Sequence, residues 1–320
     1  MSYFWIGFVG TFLAAGPAVA ATNAVATGAA PAPAAADSKP AVEKEFRKLM
    51  EADNAAQAEV DRWIQDNNDF AAKGVGTPPA LLKRRIQERL DPVRKAYEDF
   101  LERHPSHVEA RLAYASFLGD TKDEESAQEQ LEKALALDTN NPAIYNNLAN
   151  IYGHIGPVKK AFEYYARAIQ LNPLEPVYYH NLGTTVYLFR TDAKEFYGID
   201  EPQVFAKAFQ LYSNAMRLDP MNFPLASDVA QTYYGVKPIP TETALQAWTN
   251  ALRIAHDEIE REGVYVHFAR LKLMAGNLAE ARAHLNAVTN PMYAQLKARL
   301  ERNLHEHASG APATNSPPAQ

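Results

Sequence analysis

The chain contains no cysteine in its 320 residues. That excludes a disulfide framework, a thiolate metal site, a cysteine nucleophile and a lipid-modified cysteine anchor. Charge is missing too, but only locally. No Asp, Glu, Lys or Arg occurs before Asp37, so the net charge of −6 belongs to residues 37–320. A mildly acidic chain is poorly suited to neutralising phosphates, which argues against a nucleic-acid partner. There is no GxSxG, no glycine-rich phosphate loop, no HExxH and no paired-ligand spacing. No catalytic residue, cofactor or metal is therefore expected. His104 and His107 stand on either side of Pro105, which reads as an exposed turn rather than a ligand pair. Strand-like alternation is absent as well, which leaves an all-α fold.

What is present begins with an apolar run, MSYFWIGFVGTFLAAGPAVA, ending in Ala18-Val19-Ala20. Such a run before a small-x-small site reads as a secretory signal peptide over residues 1–20, although the usual early Lys or Arg is missing. The expectation is an exported protein, periplasmic or extracellular. The alternative is a membrane anchor formed by residues 4–20. Residues 21–40 are Ala, Pro and Thr with almost no large apolar side chain, so nothing offsets the entropy of ordering them, and they read as a disordered linker. Residues 307–320 repeat that composition as a tail. The 21 prolines, against only 15 glycines, are thus partly a linker signature.

Residues 41–71 carry an apolar stripe at helical spacing: Val42, Phe46, Leu49, Met50, Ala56, Val60, Trp63, Ile64 and Phe70. The Gly74–Pro79 stretch breaks it, and Leu81–Leu90 reads as a new helix bearing a small solvated basic face, Lys83, Arg84, Arg85 and Arg89. Asp91-Pro92 reads as an N-cap followed by Pro at the first helical position, starting a further helix that stops at His104-Pro105. Beyond Val108 the chain repeats. Tyr145, Leu148, Ala149, Tyr152, Ala161, Tyr165, Ala168 and Pro173 have equivalents 34 residues earlier in Arg111, Tyr114, Ala115, Leu118, Ala127, Leu131, Ala134 and Thr139. Stepping forward aligns Tyr179, Leu182, Gly183 and Val186. After an insertion, 191–203, Ala208, Tyr212, Ala215 and Pro220 complete that unit. A fourth holds Ala230, Tyr233, Ala244, Trp248 and Ala251, and a fifth Tyr265, Phe268, Ala269, Ala281 and Leu285. The fourth unit lacks a closing Pro, so its second helix is expected to run on to Glu262 and stop at Gly263. Each unit reads as two short helices that cannot bury their stripes alone, so neighbours must stack.

These residues closely resemble the tetratricopeptide repeat family, with about five repeats over residues 108–290. The resemblance implies a right-handed α-solenoid of stacked helix-turn-helix repeats with N- and C-terminal capping helices. Residues 41–107 then supply an N-terminal helical cap with a degenerate repeat at 79–107, and 291–306 a C-terminal capping helix.

In that family the first helix of each pair lines a concave groove. The equivalent positions here are Ala113, Asn147, Asn181, Asp228 and His267, with Ser116, Asn150, Thr184, Gln231 and Arg270 one turn later; Asn146 and His180 flank them. An Asn amide both donates and accepts, matching a peptide bond on a bound strand. The resemblance thus implies a non-catalytic scaffold holding a peptide or protein partner through Asn146, Asn147, Asn150, His180, Asn181, Thr184, Asp228, Gln231, His267 and Arg270. Hydrogen bonds alone fall short of micromolar affinity, so Tyr187 or Tyr234 would have to add apolar area. The rows lack the Lys and Arg cluster with which family members clamp a C-terminal carboxylate. Phe196 and Tyr197 in the insertion are a second candidate contact. Two rival readings remain: a self-assembling structural envelope protein, and an enzyme with an unfamiliar site.

Overall fold

The computed structural model describes residues 39–72 and 74–308. The segment read as a signal peptide, nearly all of the one read as a linker and all but the start of the one read as a tail lie outside the described residues. Every regular element among them is helical. The chain divides into two units, 39–155 and 156–308.

The first unit holds α1 (Lys39–Ala72), α2 (Pro79–Arg103), α3 (Val108–Asp120), α4 (Glu124–Leu137) and α5 (Pro142–Ile155). Each packs on the next. Asp123 caps α4 by accepting the Ser126 N–H, and Glu124 and Glu125 in the first turn add negative charge that complements the helix dipole. The expected break at Asp91-Pro92 does not occur, and α2 runs straight through Pro92. An interior Pro costs about 3 kcal/mol. Leu90, Val93, Tyr97, Phe100 and Leu101, all buried, form one unbroken stripe, and each large side chain returns about 1.5–3 kcal/mol on burial. Packing outweighs the local signal. Residues 79–103 are therefore one long helix paired with α1, and 79–107 is not a degenerate two-helix repeat. His104 and His107 are not in an exposed turn either. Their rings pack on Phe100, and His107 Nδ1 accepts the Ala110 N–H to cap α3.

The second unit holds α6 (Val158–Leu171), α7 (Pro176–Leu188), α8 (Arg190–Tyr197), α9 (Glu201–Leu218), α10 (Phe223–Thr232), a 3-10 turn (Tyr233–Gly235), α11 (Thr241–Ile254), α12 (Glu258–Met274), α13 (Leu278–Asn286), a 3-10 turn (Pro291–Tyr293) and α14 (Ala294–Ala308). The helices α7/α9, α10/α11 and α12/α13 pack as pairs where the sequence places its third to fifth units, and α8 falls largely within the segment read as an insertion, 191–203. α7 and α9 meet at Gly183, where an added methyl would sit 2.9 Å from the Tyr212 ring and 3.4 Å from the Ala208 carbonyl. Tyr212 is buried and has no room to retreat. Gly183→Ala gains about 1 kcal/mol of helix propensity but overpacks by about 1–3. A net loss of stability is expected, read by urea unfolding; a gain would show that the helices can move apart.

The link between the fourth and fifth repeats also departs from the sequence reading. α11 stops at Ile254, and Asp257 starts α12 by accepting the Glu260 N–H at 2.8 Å. A capping Asp does the work expected of a helix-ending Pro. Gly263 lies inside α12, where its missing side chain admits the Tyr293 hydroxyl. Beside it, buried Glu262 accepts from Thr289 N (2.9 Å), Thr289 Oγ1 (2.8 Å) and Asn290 N (2.6 Å). The Asn290 N–H above all, helped by Thr289 and Lys297, holds its carboxyl below the ordinary range against the opposing effect of burial. A depressed carboxyl stabilises the fold above its unfolded value, about 4.3, and that contribution is lost as pH falls further. The Thr289 and Asn290 amides are expected to lose exchange protection on acidification below that value. In Glu262→Ala they should be unprotected already at neutral pH.

Candidate functional site

The second unit gathers the polar first-helix residues into one continuous patch. His180 on α7 meets Asp228 on α10, Nε2 to Oδ2, at 2.7 Å. Thr184 Oγ1 and the Tyr212 hydroxyl lie 3.2 Å apart. One turn on, Tyr187 packs on Phe205 (6.2 Å between centroids). The 3-10 turn comes so close that a methyl on Gly235 would fall 2.9 Å from the Tyr187 ring and 3.0 Å from Phe205. That closeness requires glycine there. The turn places Tyr234 with its hydroxyl 3.1 Å from His267 Nδ1. The His267 ring stacks on Trp248, 3.9 Å between centroids at 11°.

Two guanidinium groups border this aromatic floor. Arg270 stands over the Tyr234 ring at 4.3 Å, is exposed, and has no carboxylate within ion-pair distance among the described residues. Arg190 stands 5.1 Å over Tyr187, donates to the Tyr187 carbonyl and reaches Glu201 only at 4.0 Å. Desolvation, and then the Arg270 charge, push the His267 pKa down to about 3. Burial pushes Tyr234 up to about 12. At neutral pH both rings are therefore uncharged, and the arginines supply the positive charge of this edge. The arrangement can offer hydrogen bonds, stacking surface and a guanidinium to a ligand.

The candidate residues divide sharply. His180, Thr184, Asp228, Gln231, His267 and Arg270 share the second unit's patch and are half-buried or exposed. Asn181 is buried at 5% exposure. Asn146, Asn147 and Asn150 belong to the first unit and are buried at 0–1%, with Asn146 Nδ2 donating to Asn147 Oδ1 at 3.1 Å. The four asparagines thus form no water-facing row. In α5, ten of fourteen residues are buried, more than one stripe can hold, so polar positions are enclosed with apolar ones. Phe196 and Tyr197 turn inward, with centroids 5.2 and 5.5 Å from buried Phe162. Neither ring stands free in solvent. Sequence reasoning missed Arg190, Phe205 and Gly235 as members of the patch. Arg190 is the first residue of α8, immediately before the insertion, where the repeat register is lost and spacing no longer predicts a face.

Helical hairpins of this length, meeting through Gly and Ala, define the α-solenoid class. Residues 108–141 and 142–173 match the tetratricopeptide repeat profile, and these two segments are tetratricopeptide repeats. The fold is similar to that of PilF from Pseudomonas aeruginosa (TM-score 0.51, 18% identity, covering 80% of this chain and 99% of that one). It is also similar to the C-terminal part of a TPR repeat-containing protein from Cytophaga hutchinsonii (TM-score 0.50, 14% identity, 80% and 98%). A third likeness is to the APC/C Cut9–Hcn1 hetero-tetramer (TM-score 0.50, 15% identity, 79% and 48%). At these identities the likeness is one of fold. No curated protein matches by sequence. Tetratricopeptide repeats generally mediate binding of protein partners.

Proposed function

We propose that this chain is a non-catalytic scaffold that holds a stretch of a partner polypeptide against the first-helix patch of its second unit. The observation that carries the reading is Arg270, an exposed guanidinium laid over Tyr234 without a carboxylate partner among the described residues. An Arg held flat on a ring keeps its outer N–H groups free for a ligand carbonyl or carboxylate and loses little rotamer entropy on binding. Gln231 and Thr184 add neutral donors and acceptors, and Tyr187 supplies apolar area. The buried asparagines play no direct part. The charge-free apolar segment 1–20 supports export or an envelope tether; a native N-terminus still at Met1 would remove cleavage from the proposal.

The test is affinity capture from an extract of the source cells, with bound polypeptides identified by mass. Wild type is expected to retain a polypeptide that Arg270→Glu binds at least about tenfold more weakly, equivalent to about 1.4 kcal/mol. Both proteins should unfold at the same urea concentration. Equal capture by the two would overturn the role of the patch.

A further inference from the structure

Taking the second unit's patch as the partner site, we infer that the segment it holds is acidic, its side-chain carboxylates received by Arg190, Lys237 and Arg270. Three cations gather on one aromatic floor. Arg270 lies over the Tyr234 ring at 4.3 Å. Lys237 donates from Nζ to the Tyr234 carbonyl at 3.3 Å. Arg190 lies 5.1 Å over Tyr187 and 5.8 Å over Phe205, and donates to the Tyr187 carbonyl at 2.6 Å. The 3-10 turn joins the two ends of this floor, since a methyl on Gly235 would touch both Tyr187 and Phe205. Burial raises the Tyr187 pKa, and the charges of both arginines oppose that rise, Arg190 more than Arg270. The two guanidinium groups therefore act on one hydroxyl.

Compensating acid is scarce at this place. The chain carries a net charge of −6, yet Lys237 and Arg270 are exposed and neither forms an ion pair among the described residues. Asp228, the acid of the patch, is engaged by His180 at 2.7 Å. Glu201 reaches Arg190 only at 4.0 Å, and its side chain is 59% exposed. An acidic ligand thus meets uncompensated positive charge and has one loosely held carboxylate to displace. A basic segment is repelled, and a neutral one leaves the cations without partners. A guanidinium resting on a ring keeps its edge N–H groups aligned to fork onto a carboxylate. The three cations also stand on separate elements: Arg190 opens α8, Lys237 follows the 3-10 turn and Arg270 lies on α12. That distribution suits several carboxylates along a passing strand. The single carboxylate of a chain end would leave part of it unpaired.

The test is selection on the full chain from a random peptide library, displayed within a carrier loop so that no peptide has a free end. Selected sequences are expected to hold Asp and Glu at least about threefold above their share of the library. The Arg190→Gln/Arg270→Gln variant, unfolding at the same urea concentration as wild type, should lose that enrichment. In a selected peptide acetylated and amidated at its ends, Glu-to-Gln changes should weaken binding about tenfold, and added salt should weaken it further. Glu201→Gln should tighten binding about twofold, because the competing carboxylate has left Arg190. Peptides that need Arg270 but carry no excess of acid would overturn the acidic ligand and leave the patch standing as the partner site. So would a selected peptide that gains about tenfold or more when its C-terminal carboxylate is freed, or one that Glu201→Gln weakens. Acidic peptides held equally by wild type and the double variant, or no selection above background, would overturn the patch as partner site and the acidic ligand with it.

Discussion

The Trp248→Ala variant is expected to lose about 3–5 kcal/mol of unfolding free energy, among the largest costs for a single truncation. Trp248 is 2% exposed and packs with Ala226, Ala230, Ala244 and Ala251, together with Ile254, Val264, Phe268 and Leu271. The alanines decide the magnitude. Their methyl groups have no torsion that could swing them into the vacated space, so the cavity stays open and the loss falls toward the upper end. Trp248→Phe keeps a ring against His267 and is expected to cost under about 2 kcal/mol. A second readout follows from the stack. Desolvation beneath Trp248 and Tyr234, and then the Arg270 charge, push the His267 pKa down to about 3. A histidine held below its ordinary value of about 6.5 contributes stability above that pH, and the contribution is lost as pH falls toward the folded value. Removing the indole admits water to the ring, so the His267 pKa should rise by nuclear magnetic resonance titration and this acid sensitivity should shrink. Urea unfolding followed by circular dichroism measures the energy. An alanine cost under about 1.5 kcal/mol would mean that the core is not closed around the indole.

The repeat register was legible because small residues and rings recur at fixed spacing. Gly183 against Tyr212, Asp123 as the α4 cap and the 34-residue step all follow from local chemistry. Failures arose where a local signal competed with packing out of reach of a short window. Asp91-Pro92 has every feature of a helix start, yet the stripe from Leu90 to Leu101 holds one helix together. Asp257 replaced an expected Pro, since a helix can be interrupted as well by starting the next one. The asparagine row failed for a further reason. Spacing gives the angle at which a side chain leaves its helix, but not how much of the circumference is covered. In α5 nearly all of it is covered; in α10 and α12 Asp228, Gln231 and Arg270 remain reachable. The patch thus formed where one half of the row stayed open and the start of α8 brought in Arg190.

The first unit should show the opposite pH dependence from Glu262, through a buried carboxyl no motif would single out. Asp53 is 7% exposed; its Oδ2 accepts from the Tyr97 hydroxyl at 2.6 Å, while Oδ1 has no hydrogen-bond partner among the described residues. Burial raises its pKa, and the Tyr97 hydroxyl and Gln57 only partly offset that. A carboxyl raised above its unfolded value, about 3.9, favours the fold most when protonated, and this advantage is lost as pH rises through the folded value. Tyr97→Phe is expected to cost about 1.5–3 kcal/mol at neutral pH, because a buried carboxylate loses its donor. The cost should shrink in acid, where the neutral carboxyl needs that donor less. Asp53→Asn should stabilise the unit at neutral pH and remove this pH dependence. Asp53→Leu combined with Tyr97→Phe should be nearly neutral, since both polar partners leave together. Unfolding of all four proteins at neutral and acid pH checks the set. A Tyr97→Phe cost that is the same at both pH values would mean that Tyr97 acts through its stack on Tyr114, 5.1 Å away, and not through Asp53.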